Sequence, residues 1–359
     1  MTGLTVDTTT IAHKRRSVSD IMLHVIVALL PGIATYALLI DSRVLINILV
    51  ASACALAFES ALVTLRKRAV LPALKDASIL LAVILLTLSI PQTLPVWQLV
   101  FGVFILCTLG KHVFGGLGHN PFNPAMVAYA VLIVSFPLTM TQWTTHNGLL
   151  DTVIESQTDN TSPGSDSDQS IAWDRLSSAT PLDRLDVMRR QAMETSSVES
   201  NDTLTESTSE LVLSSDWLWI SLAWLAGGMY LLFMRIISWH IPLTILSTLW
   251  CLYMLYGQLA TVPVLPATVA LFSGAIMLGA FFIATDPVSA ATSNPGKLVY
   301  GVGIGILCFV IREFSAYPEG MAFAVLLMNM CVPLIDHAFT RNRLASDQSS
   351  NNQKDTTQS

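Results

Sequence analysis

Long apolar runs separated by short polar breaks make up most of this chain. The pattern predicts five helices over roughly 21–40, 44–65, 76–92, 95–111 and 124–143, and five more over roughly 217–236, 241–257, 264–285, 298–312 and 320–339. The runs are continuous and lack the period-two alternation of a membrane barrel, so they read as helices. Several reach the roughly 20 residues that span a bilayer at 1.5 Å rise. Asp41-Ser-Arg43 marks a tight turn and Arg66-Lys67-Arg68 closes the second helix. Pro91 and Pro95 bracket another turn, since proline cannot continue a helix ladder. Pro124 suits a helix first turn, and Ser293-Asn-Pro-Gly-Lys297 reads as a turn.

Residues 144–215 break the pattern. They hold 13 acidic side chains against Arg175, Arg184, Arg189 and Arg190, a net of −9 in a chain whose total is −6. Residues 155–170 and 194–210 have the composition of disordered chain. Between them, Ile171 to Met193 carries spaced apolar residues and is the part expected to fold onto the membrane helices.

Composition fits the same picture. Of 359 residues, 52% are hydrophobic and 12% charged, whereas soluble domains carry about 25% charged residues. The expectation is an all-α polytopic membrane protein with about ten transmembrane helices in a five-plus-five arrangement. Its parts are an N-terminal segment 1–20, a first membrane half 21–143, the acidic loop 144–215, a second half 216–339 and a polar, disordered tail 340–359. The apolar run after Lys14-Arg-Arg16 is followed by no clean small-x-small cleavage site and reads as a retained helix rather than a signal peptide. Cys54, Cys107, Cys251, Cys308 and Cys331 form no CxxC pair and read as small buried residues, with no metal site expected.

With the N-terminus on the cytoplasmic side, ten crossings place 13 of the 19 Lys and Arg inside; apart from the long loop only Arg43 and Arg312 fall outside. That orientation puts residues 144–215 on the outer, periplasmic side. Five helices followed by five also predicts a second half inverted relative to the first, the arrangement of inverted-repeat transporters.

The chemistry centres on Asp174-Arg-Leu-Ser177-Ser178-Ala179-Thr180-Pro-Leu-Asp183. No histidine lies in this piece, so a threonine nucleophile has no base beside it. Read alone, the stretch is a helix start, with Thr180 as N-cap, Pro181 in the first turn and Asp183 at the third position. It also resembles the D-x-x-[ST]-G-A-T motif at which a flavin transferase links flavin mononucleotide (FMN) to threonine through a phosphoester. Gly115-Gly-Leu-Gly-His-Asn-Pro-Phe-Asn-Pro-Ala-Met126, Thr285-Asp-Pro-Val-Ser-Ala290, Tyr317-Pro-Glu-Gly-Met-Ala-Phe-Ala324 and Asn329-Met-Cys-Val-Pro-Leu-Ile-Asp336 are similar to signatures of the RnfD/NqrB family, with spacing like its RnfD branch. The likeness runs from the first helix to about Arg343.

The resemblance implies a flavin-carrying subunit of an Rnf-type complex in a bacterial inner membrane, coupling ferredoxin- and NAD-linked electron transfer to Na⁺ or H⁺ movement. It implies FMN on Thr180, with Asp174, Ser177, Ser178 and Ala179 as the attachment motif. Asp174 and Ser177 would serve recognition by the transferase. The expected partners are the rest of the Rnf complex, above all its periplasm-facing FMN-bearing component, together with the flavin transferase and membrane lipid, with no nucleic acid. Ser178 stands where the family commonly has glycine; serine adopts positive backbone dihedrals only at a cost, so labelling is expected to be slower but not abolished.

NqrB relatives also hold a non-covalent riboflavin, which makes the pieces around Asn120, Asn123 and Asp286 candidate walls for one; close-packed helix connections explain the same residues. Few ionisable groups lie within the apolar runs, namely His24, Glu59 (about two turns from Arg66), Asp336 and His337, and no chain of carboxylates crosses the membrane. A solute channel or transporter fits the topology as an alternative, and an assembly scaffold as a weaker one.

Overall fold

The computed structural model describes residues 17–115, 118–143, 216–259, 264–315 and 320–356, with side chains as far as Phe339. The attachment motif 174–183 lies outside the described residues. All regular structure among those residues is helical.

The first half contains α1 (Val18–Leu39), α2 (Arg43–Leu65), a short α3 (Val70–Lys75), α4 (Ser78–Ser89), α5 (Val96–Ile105) extended by a π-helical segment (Leu106–His112), α6 (Pro124–Ser135) and a single turn, α7 (Pro137–Met140). The second contains α8 (Asp216–Phe233), α9 (His240–Leu259), α10 (Ala267–Phe272), α11 (Ile276–Leu278) extended by a π segment (Gly279–Ile283), α12 (Asn294–Phe314) and α13 (Met321–Thr356). Among the described residues, four helical stretches, Val18–Leu39, Arg43–Leu65, Asp216–Phe233 and Met321–Phe339, are long and apolar enough on their own to cross a membrane.

Several expected helices are reshaped, each for a local reason. The helix expected over 76–92 is cut to α4. Ala77 takes a left-handed φ of 56°, and the Asp76 carboxylate accepts from Ser78 N at 2.9 Å, which closes a turn before the helix. The helix expected over 124–143 stops at Ser135, because Pro137 has no N–H and holds Phe136 out of the helical region. The helix expected over 264–285 is broken at Ser273-Gly274-Ala275, where Gly274 has φ 65°. Ser293-Asn-Pro-Gly-Lys297, expected as a turn, leads into α12: Ser293 is its N-cap, its Oγ accepting from Gly296 N at 3.1 Å. The tail expected to be disordered over 340–359 is helical as far as Thr356; after Pro333 it holds no Gly or Pro to end the helix.

The two halves share one packing scheme. In the first, α2 packs on α4 and α5, and α5 with its π segment on α6. In the second, α9 packs on α10 and α12, and α12 on α13. The halves meet through α1 against α8 and α6 against α13. Both pairs are antiparallel. His24 Nδ1 lies 2.9 Å from Tyr230 Oη, while at the other end the Tyr36 and Trp217 rings are 6.2 Å apart. Tyr129 packs on Phe323 at 6.5 Å, while Asn123 N lies 3.0 Å from the Asn329 side-chain amide. Equivalent helices run in opposite directions, so the second half is inverted relative to the first, as the odd helix count predicts.

Small residues set the α1–α8 distance. A Cβ on Gly32 would stand 2.1 Å from the Trp224 indole, and one on Gly227 would stand 2.1 Å from the Ala28 carbonyl oxygen. Where lipid removes much of the hydrophobic drive between helices, such close backbone approach is a main source of association.

Candidate functional site

The faces of the bundle differ. Residues 144–215 leave from one of them, between Trp143 and Asp216, here the loop face. The opposite, basic face carries Arg66, Lys67, Arg68, Lys75, Arg235 and Lys297. Each face opens into a cavity.

The basic-face cavity brings Asn120, Asn123 and Asp286 together, with Lys111, Ser78 and Phe282 also in its wall. Asn123 is the N-cap of α6. Its Oδ1 accepts from Ala125 N at 3.0 Å, and its Nδ2 donates across the halves to the Ile283 carbonyl at 3.2 Å. Asn120 Nδ2 donates to the Phe122 carbonyl at 2.9 Å. The Asp286 carboxylate, in the connection after the second π segment, accepts from Ser289 Oγ at 2.7 Å and Ser289 N at 3.2 Å. Burial pushes its carboxyl above the ordinary carboxylate range, against the pull of those bonds. Much of this polarity is spent on tight connections, which accounts for these residues structurally. The Lys111 ammonium and the Phe282 ring add a cation and a flat apolar surface to the same cavity.

Lys111 belongs to a buried ionic cluster that pattern reading did not predict. Its Nζ donates to Glu59 Oε1 at 2.8 Å and to Ser78 Oγ at 3.2 Å, and His112 Nε2 sits 2.8 Å from Glu59 Oε2. Glu59 is 1% exposed. Arg66, the nearer cation in sequence, instead donates to the His112 carbonyl. The π segment explains the arrangement. Lys111 and His112 are adjacent in sequence, yet both reach the one carboxylate. The signal available in sequence was a Lys-His pair ending an apolar run.

The loop-face cavity is aromatic. Trp143 and Trp217 stand at its mouth, their rings 6.4 Å apart at 75°; Tyr36, Tyr129 and Trp224 line it deeper in the bundle. The break in the α10–α11 helix forms another part of its wall, through Gly274 and Ala275. Backbone freed from a helix ladder at membrane depth needs a cavity or protein around it. Arg312 of α12 holds the broken end. Its two Nη atoms donate to the Ala270 and Ser273 carbonyls, each at 3.2 Å. Sequence reading placed Arg312 only as an outside charge; the break it caps had no signal beyond Ser273-Gly274. Between the two cavities stands the edge-to-face pair of Trp224 and Phe282, with centroids 6.0 Å apart. No group of three or more His, Cys, Asp or Glu that could hold a metal occurs among the described residues.

Known proteins resemble this chain along nearly its whole length. The profile of the NQR2, RnfD, RnfE family matches residues 5–345. A protein from Erwinia tasmaniensis, named as the D-type subunit of an ion-translocating oxidoreductase complex, is 42% identical over 340 residues, which is 92% of this chain and 95% of that one. Proteins of the same name from Escherichia coli O127:H6 and from strain K12 are 42% identical over 341 residues, with the same coverage.

Proposed function

This chain belongs to the NQR2, RnfD, RnfE family, and from that premise we propose that it is the flavin-carrying membrane subunit of its complex, with FMN esterified to Thr180. Its role is that of a multi-pass membrane subunit of an ion-translocating oxidoreductase complex. The observation that carries the flavin reading is the Asp174-x-x-Ser-Ser-Ala-Thr180-Pro-Leu-Asp183 stretch, placed in the segment that joins two inverted halves.

Esterification needs an activated donor. Thr180 Oγ1 would attack the flavin-side phosphorus of a flavin dinucleotide. The new O–P bond replaces the phosphoanhydride bond, the nucleoside monophosphate leaves, and the hydroxyl proton passes to a base of the transferase. Thr180 is then an anchor, and the flavin supplies one- or two-electron chemistry when bound. Asp174 and Ser177 present the site to the transferase. Ferredoxin- and NAD-linked electron flow, a neighbouring FMN-bearing component on the loop face and a bacterial inner membrane complete the proposal.

The basic-face cavity suits a second, non-covalent flavin such as riboflavin. Phe282 offers a ring to stack on, and Asn120, Asn123 and Lys111 place polar groups at the edge. The test of the main reading is flavin fluorescence on a denaturing gel. Protein made with the flavin transferase should give a fluorescent band that is lost in Thr180→Ala. A dark wild-type band would sink the proposal. Flavin released from the native Thr180→Ala protein by denaturation would report the second site.

The inverted halves and the broken α10–α11 helix also fit a solute transporter. That reading predicts substrate flux in liposomes holding this chain alone.

A further inference from the structure

We propose that a groove on the outer surface of the bundle, between the first π segment, α6 and α13, holds an acyl chain of an anionic phospholipid whose phosphate sits on Lys67 and Arg68 at the basic face.

The groove follows from how three elements meet. The π segment lies close on α6, since a Cβ on Gly110 would stand 2.8 Å from Pro124 Cα. α6 meets α13 through Tyr129 and Phe323, with ring centroids 6.5 Å apart. Between them runs a groove of about 500 Å³, a size that suits a small-molecule ligand. Leu109 and Val113 of the π-segment side are 42% and 61% exposed, and Leu327 and Met330 of α13 are 46% and 62% exposed. Ala130 of α6 is half-buried between them, and its small side chain keeps the groove open. Every described side chain that lines the groove is apolar. Such a wall has nothing to orient a water-soluble ligand, but it matches an acyl chain along its length.

Charge names the occupant. Arg66 donates to the His112 carbonyl, and Arg68 Nη1 donates to the Gly115 carbonyl at 3.4 Å. Those two carbonyls bracket Val113 and Phe114, which line the groove at its basic-face end. Lys67, with φ 55°, turns the chain between the two arginines. All three cations are exposed. Each guanidinium has five N–H donors, so those carbonyls leave others free in a fork that fits phosphate oxygens. Clustered Lys and Arg at the edge of a membrane helix attract anionic headgroups. A zwitterionic lipid offers the same chain without the net charge. A partner's transmembrane helix would match the apolar wall but leave the three cations unanswered.

The experiment uses the assembled complex in phosphatidylcholine vesicles. The probe is a trace of phosphatidylglycerol carrying a photoactivatable diazirine in its acyl chain, and phosphatidylcholine with the same chain is the comparison. Labelled peptides are read by mass spectrometry. The proposal predicts label on 109–114 and 327–330 severalfold denser from the phosphatidylglycerol probe. Lys67→Gln with Arg68→Gln should abolish that difference. Ala130→Phe, which fills the groove, should lower labelling there by both probes. Arg235→Gln, elsewhere on the basic face, should change neither. Equal labelling by the two probes would overturn the proposal. So would label no denser there than around Leu243, a 54% exposed residue of α9. Label present in the isolated chain but absent in the assembled complex would give the groove to a partner's helix and overturn it too. Should a variant not fold, the comparison of the two probes on wild type decides alone.

Discussion

Removing the carboxylate at position 59 is the sharpest test of how the first half packs. In Glu59→Ala, Lys111 Nζ loses its partner at 2.8 Å and keeps only Ser78 Oγ at 3.2 Å. His112 Nε2 loses its partner as well, and its Nδ1 already has none among the described residues. Lys111 is 5% exposed, so its ammonium is largely withdrawn from water. Breaking one side of a buried ion pair costs about 3–5 kcal/mol, most of it the penalty of the charge left behind. At 1.4 kcal/mol per factor of ten, a loss of about 4 kcal/mol is roughly a thousandfold change in the folded-to-unfolded ratio. The assay is reversible unfolding in mixed micelles, following helix content as the mole fraction of denaturing detergent rises. Lys111→Met should be destabilising too. The Glu59→Met, Lys111→Met pair should recover much of the loss, because it leaves no unpaired charge and fills the space with apolar side chains. A Glu59→Ala protein within about 0.5 kcal/mol of wild type, the range of an ordinary surface change, would refute the reasoning. So would strict additivity in the double variant.

Three further outcomes follow from single contacts. Gly32→Ala puts a methyl group 2.1 to 2.5 Å from indole carbons of Trp224; overpacking of that kind costs about 1–3 kcal/mol, read as a lower melting temperature that Trp224→Leu partly restores. Arg312→Met leaves the Ser273 carbonyl without the Arg312 donor, while the Ala270 carbonyl keeps Ser273 Oγ at 3.1 Å, and should cost about 1–3 kcal/mol for the unsatisfied group. Arg312→Lys should recover only part of that, since an ammonium lacks the planar fork that spans both oxygens; hydrogen exchange at residues 270–279 should rise in both variants. Asn123→Ala should lose about 1 kcal/mol as a missing N-cap as well as the tie to the Ile283 carbonyl, whereas Asn123→Asp keeps the cap and loses only the tie; thermal unfolding of the two separates the terms.

The sequence by itself determined the class of fold, because the need to satisfy every backbone group in lipid leaves few options for long apolar runs. An odd number of runs before the polar segment was enough to predict inversion, and His24 with Tyr230 and Tyr36 with Trp217 show the antiparallel pairing directly. The resemblance named Asn120, Asn123 and Asp286 as candidate walls for a second flavin, and the structure brings the three to one cavity. Tertiary structure decided what periodicity cannot carry. Hydropathy treats 264–285 as one helix, but the break at Ser273–Ala275 depends on Arg312, about forty residues away, to satisfy its carbonyls. Glu59 looked nearest to Arg66 along its own helix, yet a π segment in another helix turned Lys111 and His112 onto it. Tyr36, Trp217 and Trp224 carry no signal one by one; the antiparallel packing of α1 on α8 gathers them, and Trp143 joins them around one cavity. Local pattern fixes which segments leave water. Long-range partners fix where those segments bend and which polar groups they bring together.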